Sequence, residues 1–218
     1  IDLCYDSQWG DLMQKPNLDY LEKTTLSKDL DHEEINNAHY QMDVLFDQHC
    51  HGIEFKHCLF ENVNMQDVQF EDSYFIDVIF KDCDFSNIKL LSSLFRRVQF
   101  INCKLLGTDF SESLFDQVLL KDCLCRFANF TFMKNKEVHF EHCDLYQASI
   151  IETNLKKTTF HECNLQQCEI QHASLYQIDL SSCDLTNLIT TVEDIQGAII
   201  DSFQAASLIH LLKVKIKQ

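Results

Sequence analysis

From Phe55 to Leu185, every fifth residue is apolar, with one exception. These 27 positions hold 13 Phe, 9 Leu, 2 Ile, Met65, Cys125 and a single polar residue, Asn135. The position two before each, from Ile53 to Cys183, holds 8 Cys, 6 Val, 3 each of Ile, Ala, Ser and Thr, and Met133. The remaining positions are mostly polar. A period of five fits neither a 3.6-residue helix nor a two-residue strand. It requires a chain that turns a corner every five residues, with one large and one small side chain pointing inward from each side. Four such sides close a square coil of twenty residues.

The cysteines support that count independently. Cys83, Cys103, Cys123, Cys143, Cys163 and Cys183 recur every twenty residues, so they stack on one face. Val78, Val98, Val118 and Val138 form a second ladder, and Ser73, Ser93 and Ser113 a third. Eleven cysteines would otherwise indicate a disulfide framework, but such a framework has no reason to be periodic. They read instead as small packing residues in a reducing cytoplasm. The narrow interior explains the small inward position, because a second Phe there would overpack it. Backbone groups are expected to pair with the coils above and below at ~4.8 Å.

Charge and composition exclude several roles. The formal net charge is −16, divided as −8 over residues 1–50, −10 over 51–200 and +2 over 201–218. That balance opposes direct binding to nucleic acid and docking on anionic lipid. No apolar run approaches the ~18 residues of a membrane span. No basic segment followed by an apolar one opens the chain, so no secretory signal is expected. There is no phosphate-binding Gly loop, GxSxG elbow or HExxH. His49, Cys50 and His51 are a conceivable soft-metal group, although exposed histidines on an irregular first coil explain them more simply. Glu71 and Asp72 form a carboxylate pair, but a convex solenoid offers no cleft for acid–base work. No catalytic residue, cofactor or metal is therefore assigned.

The repeat resembles the pentapeptide-repeat family, whose fold is an all-β solenoid, the right-handed quadrilateral β-helix. The resemblance covers roughly residues 35–202. The segment Asp194-Ile195-Gln196-Gly197, followed by Phe203-Gln204-Ala205, resembles the final coil and C-terminal cap of the Qnr-type quinolone-resistance proteins. That likeness implies a two-fold dimer through residues 203–218, with Phe203, Ala206, Leu208, Ile209, Leu212, Val214 and Ile216 as interface candidates. It also implies a cytoplasmic, non-enzymatic DNA mimic that binds DNA gyrase, with topoisomerase IV as a second target, and protects it from fluoroquinolones. Roughly eight coils at ~4.8 Å each span ~38 Å, and B-DNA of that length carries roughly 22 charges, so the −10 of residues 51–200 is less than half that density, though the N-terminal arm adds more. An acidic rod can compete for a basic DNA groove. Asp67, Asp72, Asp77 and Asp82 share one outward pentad position and are candidate contacts. The alternative is a scaffold or interaction module without a topoisomerase partner.

Two regions depart from the lattice. Residues 1–34 are expected to form an N-terminal cap, or an arm folded back on the coil, with Ser27 ahead of Leu30–Glu34 as a candidate helix start. Tyr74, Leu94 and Leu114 stack on one face, and Ile79, Leu91, Ile101, Leu106, Leu119 and Leu124 are also outward by register, an apolar patch that either the arm or a protein partner would cover. At Lys134-Asn135-Lys136 the core position is polar. A buried Asn would lack partners, so the chain is expected to bulge outward there. The Qnr-type likeness, in which projecting loops touch the target, implies these three residues as further contact candidates, although the pentads stay in phase across the break and no loop is inserted.

Overall fold

The computed structural model describes residues 13–26 and 30–212. The chain winds as a four-sided β-solenoid. Parallel pairing joins each residue to the one twenty positions on, from Ile35↔Phe55 through Phe75↔Phe95 to the bridge Asp179↔Ile199. One face carries the longest strands, Glu54–Glu61, Tyr74–Lys81, Leu94–Ile101 and Leu114–Lys121, followed by Val138–Glu141 and Thr158–His161. The core is one continuous column of buried side chains from Leu30 to Leu208. Leu30 already occupies a core position, so the coil begins before residue 35. Residues 30–34 form a turn and the start of strand Glu34–Asn36 rather than a helix. Ser27 lies outside the described residues.

The ring stacks show why the period holds. Phe75 and Phe95 stack at 4.8 Å between centroids, Phe80 and Phe100 at 5.0 Å, and Phe140 and Phe160 at 5.0 Å. These separations match the spacing of hydrogen-bonded strands, so one ladder satisfies backbone pairing and ring stacking together. The small inward residues do more than save space. Each cysteine of the twenty-residue series donates its thiol to a core-residue carbonyl of the previous coil: Cys83 to Phe60 O, Cys103 to Phe80 O and Cys123 to Phe100 O, each at 3.4 Å. Thr108, Ser113 and Thr153 place hydroxyls on Phe85, Leu90 and Phe130 in the same way, at 2.8, 2.7 and 2.6 Å. Where this position holds Cys, Ser or Thr rather than Val, Ile or Ala, the small side chain can add a hydrogen bond to its packing. Ten cysteines are described, all buried and none in a disulfide. Burial pushes the thiol of Cys58 up to about 11 and raises that of Cys168 further, which makes them poor nucleophiles.

The corners impose a second rule. The residue two after nearly every core position is left-handed, Glu137 and Ser182 being the exceptions up to Asn187. At every fifth residue from His32 to Gln177, φ lies between about +49° and +66°, with Glu137 alone outside that region. Asn, Asp and Gly tolerate this conformation best. Asp67, Asp72, Asp77 and Asp82 have φ of 52°, 49°, 56° and 55°, so backbone geometry accounts for much of their shared choice of residue.

Asn135 does not bulge outward. It stays in the core column, 7% exposed, with Lys134–Asn135 paired to Leu114–Phe115. Its Nδ2 donates to Thr158 Oγ1 at 3.5 Å, while Oδ1 is buried without a partner. Ladder pairing on the neighbouring coil outweighs the cost of one buried polar atom. The neighbouring corner at Glu137 adjusts instead.

The C-terminal end is closed by side chains that replace the next coil. Helix α1 (Val192–Ile195) presents Asp194, whose carboxylate accepts from the backbone N–H groups of His172 and Ala173 at 3.0 Å each. Gly197, at φ +80°, follows it, and a Cβ there would lie 2.4 Å from the Tyr176 ring. Helix α2 (Ser202–Leu208) opens with a capping box between Asp201 and Gln204. Gln204 Nε2 then donates to Leu180 O and Cys183 O at 2.8 and 2.6 Å. Thus the Asp and Gln of this end satisfy donors and acceptors that the solenoid would otherwise leave open.

Candidate functional site

A four-sided rod places successive pentads on successive sides, so Asp67, Asp72, Asp77 and Asp82 lie one per corner around the coil and do not share a single face. Asp67 is exposed. Asp72 is exposed, with a carboxylate oxygen 3.2 Å from His51 Nε2. Asp82 is half-buried and accepts from Asn102 Nδ2 at 2.6 Å. Asp77 is buried and is not available for a partner. Arg97 Nε and Nη2 donate to its two oxygens at 2.7 and 2.6 Å, and the Asn17 N–H donates at 3.1 Å. Burial alone would raise the Asp77 carboxyl, but the bonds from Arg97 and Asn17, with the charges of Arg97 and His57, hold it below its ordinary value.

Asp77 is where the arm docks. His57 Nδ1 lies 2.9 Å from Asn17 O, and Leu18 and Leu21 pack on Leu59, Ile79 and Ile101. Strand Glu22–Thr24 runs parallel to Ala38–Gln41. The described part of the arm therefore covers one portion of the outward apolar patch. Tyr74 remains exposed, at 44%, with Leu94 and Leu114 half-buried on the coils beside it, and Leu124, also 44% exposed, stands on a different ladder, paired with Lys104 and Asp144.

Ion pairs between adjacent coils neutralise much of the acidic surface. Lys81 pairs with Glu61, Lys104 with Asp84, Lys121 with Glu141, and Asp116 with both Arg96 and Lys136. Lys136 is exposed and held to Asp116 at 3.1 Å, Lys134 is exposed, and Asn135 between them faces inward, so the Lys134-Asn135-Lys136 group offers two outward side chains rather than three. Glu71, Glu112, Glu152 and Asp179 join Asp67 and Asp72 as exposed acids. His49 and His51 point outward while Cys50 is buried, so those three do not converge on one ion.

At the C-terminal end, Phe203 is 88% exposed and Ala206 is also exposed. Leu208, by contrast, is 7% exposed and seals the core column, so it serves the cap rather than an interface. Ile209 is half-buried in a 3₁₀ turn, Ile209–Leu212. Val214 and Ile216 lie outside the described residues, as does the side chain of Leu212. Among the described residues, no helix is long and apolar enough to cross a membrane.

The sequence reading missed the Asp77–Arg97 pair and a cluster at His142, His161 and Glu162. Asp77 and Arg97, and likewise His142 and Glu162, lie twenty residues apart as the cysteines do, whereas His161 stands one residue off that spacing.

A pentapeptide repeat region model matches residues 53–130, and a model of eight pentapeptide-repeat copies matches residues 123–162 and 151–187. Full-length QnrB1, described as a plasmid-mediated fluoroquinolone resistance protein, superposes with a TM-score of 0.59 at 17% identity, covering 85% of this chain and 97% of that one. HetL, described as a pentapeptide repeat protein involved in heterocyst differentiation regulation in the cyanobacterium Nostoc, gives a TM-score of 0.33 at 15% identity, over 80% of this chain and 92% of that one. No curated protein matches the sequence. The five-residue lattice, the twenty-residue pairing register and family models that together span residues 53–187 place the chain in the pentapeptide-repeat family.

Proposed function

We propose that the chain binds a type II topoisomerase, chiefly DNA gyrase with topoisomerase IV as a second target, by occupying the groove meant for DNA, and that it thereby protects the enzyme from fluoroquinolones. The observation that carries this reading is a four-sided solenoid, net −10 over residues 51–200, whose exposed acids are spread over its corners. A basic DNA-binding groove attracts such a rod over distance, and shape selects it at contact. The fold likeness to a fluoroquinolone resistance protein supports the choice of target. In this reading Asp67 and Asp72 are the contacts retained from the four aspartates, and Lys134 and Lys136 mark the rim of the contact surface. Asp77 and Asn135 serve the rod itself.

A gyrase supercoiling assay with and without ciprofloxacin tests the proposal. Micromolar protein is expected to restore supercoiling in the presence of drug, and Asp67→Ala with Asp72→Ala is expected to weaken that rescue. Absence of both inhibition and rescue would sink the reading. It would favour a scaffold role through the exposed aromatic corners Phe127 and Phe132, at 56% and 49% exposure.

The exposed Phe203 supports a two-fold dimer through the C-terminal helix, since an apolar ring this open seeks cover. Phe203→Asp is expected to convert the dimer to a monomer in sedimentation velocity. A mass unchanged from the parent protein would refute this interface.

A further inference from the structure

Asp122, His142 and Glu162 occupy the same corner of three successive coils, with φ of 54°, 53° and 49°. The twenty-residue register holds them in line, and each corner turns its side chain outward. His142 lies between the two acids. Its Nδ1 is 3.2 Å from Asp122 Oδ1, and its Nε2 is 3.3 Å from Glu162 Oε2. His161 ends strand Thr158–His161 and precedes Glu162, so it reaches the same spot from the adjoining side. Its Nε2 is 3.7 Å from Glu162 Oε1, and its ring centroid is 5.9 Å from that of His142.

This arrangement has the form of a metal site. A carboxylate that accepts the Nδ1 proton of a histidine fixes the tautomer that leaves a lone pair on Nε2, and metal-ligating histidines are commonly supported in this way. At His142 that lone pair then faces a carboxylate oxygen. Two acceptors at such a distance repel each other unless a cation lies between them. Ligands about 2.0–2.1 Å from a tetrahedral ion are separated by about 3.3 Å, which is the His142–Glu162 separation. A proton would satisfy two of these groups, whereas the second imidazole supplies a third donor. One ligand atom from each of His142, His161 and Glu162 falls within 4.8 Å of the others. His142 and Glu162 are exposed and His161 is half-buried, so an ion has access and water can complete its shell.

We propose that His142, His161 and Glu162 bind a divalent cation of the zinc type, with Asp122 as the positioning residue for His142. The mixed imidazole–carboxylate donor set suits Zn²⁺ better than the oxygen-loving Mg²⁺ or Ca²⁺. The ion would clasp adjacent coils on their outer edge, beyond the reach of the backbone ladder.

The test uses the full chain, stripped with chelator and titrated with Zn²⁺ against a chromogenic competitor. His142→Asn suits the left-handed corner and keeps the fold, Glu162→Gln removes the anionic ligand, and His51→Asn is a control elsewhere on the rod. One equivalent of Zn²⁺ is expected to bind the parent protein. Affinity should fall at least ~10-fold in His142→Asn and Glu162→Gln and remain unchanged in His51→Asn. Saturating Zn²⁺ should raise the melting temperature of the parent protein but not of His142→Asn. Lack of saturable binding up to about 1 mM Zn²⁺, or binding that survives both ligand substitutions, would overturn the assignment. Should either variant misfold by circular dichroism, anomalous diffraction from a zinc-soaked crystal of the parent protein decides. A peak between the three side chains supports the site, and a map without one rejects it.

Discussion

Replacing Phe95 by alanine is expected to remove about 3–5 kcal/mol of stability. The ring is fully buried. It stacks on Phe75 at 4.8 Å, meets Phe115 at 4.9 Å, and touches Phe100 and Phe110. The surrounding backbone has little freedom to close on the space left behind, because strand Leu94–Ile101 is paired on both sides, to Tyr74–Lys81 and to Leu114–Lys121. The loss should therefore fall toward the upper end for a buried Phe. Coils of a solenoid touch only their neighbours, so the damage stays local and weakens the coupling between the N-terminal and C-terminal halves. Guanidinium unfolding followed by circular dichroism should show a lower midpoint and a broader or divided transition. A loss below about 1 kcal/mol would mean that the neighbouring rings collapse into the gap.

The second large effect is expected from Arg97→Ala. Asp77 has a side chain only 4% exposed, and Arg97 holds it with two short bonds. Removing the guanidinium strands a buried carboxylate, which typically costs about 3–5 kcal/mol. The pH dependence carries a sign that separates this cause from lost packing. In the parent protein the Asp77 carboxyl is depressed. Its contribution is complete above the unfolded value of about 3.9 and is lost as pH falls through the lower folded value. In Arg97→Ala, burial is opposed only by the Asn17 N–H and His57, so the same carboxyl rises relative to the parent protein. Acidification then neutralises the stranded group, and the deficit of the variant should shrink between pH 7 and pH 4. Denaturation midpoints at the two pH values measure it. An equal deficit at both would show that water reaches Asp77 once Arg97 is gone. Limited proteolysis should also find the segment around Asn17 more readily cut, since that segment is tied to the same carboxylate.

Much of the fold was legible in spacing alone. The five-residue recurrence of Phe and Leu identified the inward positions, and the twenty-residue recurrence of Cys identified the stacking partners. Both appear as pairings such as Val78↔Val98↔Val118. What spacing did not reveal was the conformation between inward positions. The aspartates at 67, 72, 77 and 82 looked like a charge pattern, yet they sit where the backbone needs a left-handed residue. Asp77 became a structural ion because a cation, Arg97, happens to stand on the same corner one coil later, and because the arm docks on the carboxylate through the Asn17 N–H. The polar Asn135 was read as a break, since isolated burial of an amide is unfavourable. The parallel ladders on either side keep it in line. The cap was legible as a family-like segment, but its mechanism depends on where the Gln204 amide and Asp194 carboxylate fall relative to the last coil, which no linear pattern encodes. The cluster at His142, His161 and Glu162 escaped because one of its members lies a single residue off the ladder.

The strict twenty-residue register has a consequence for how such a molecule can change length. A cassette of twenty residues can be duplicated or excised from the middle of the rod, and each remaining stack still meets a like neighbour. Excision of five residues would instead rotate everything downstream by a quarter turn, placing every ladder against the wrong wall. The protein thus behaves as a ruler graduated in whole coils, whose extent could change while both end fittings stay as they are.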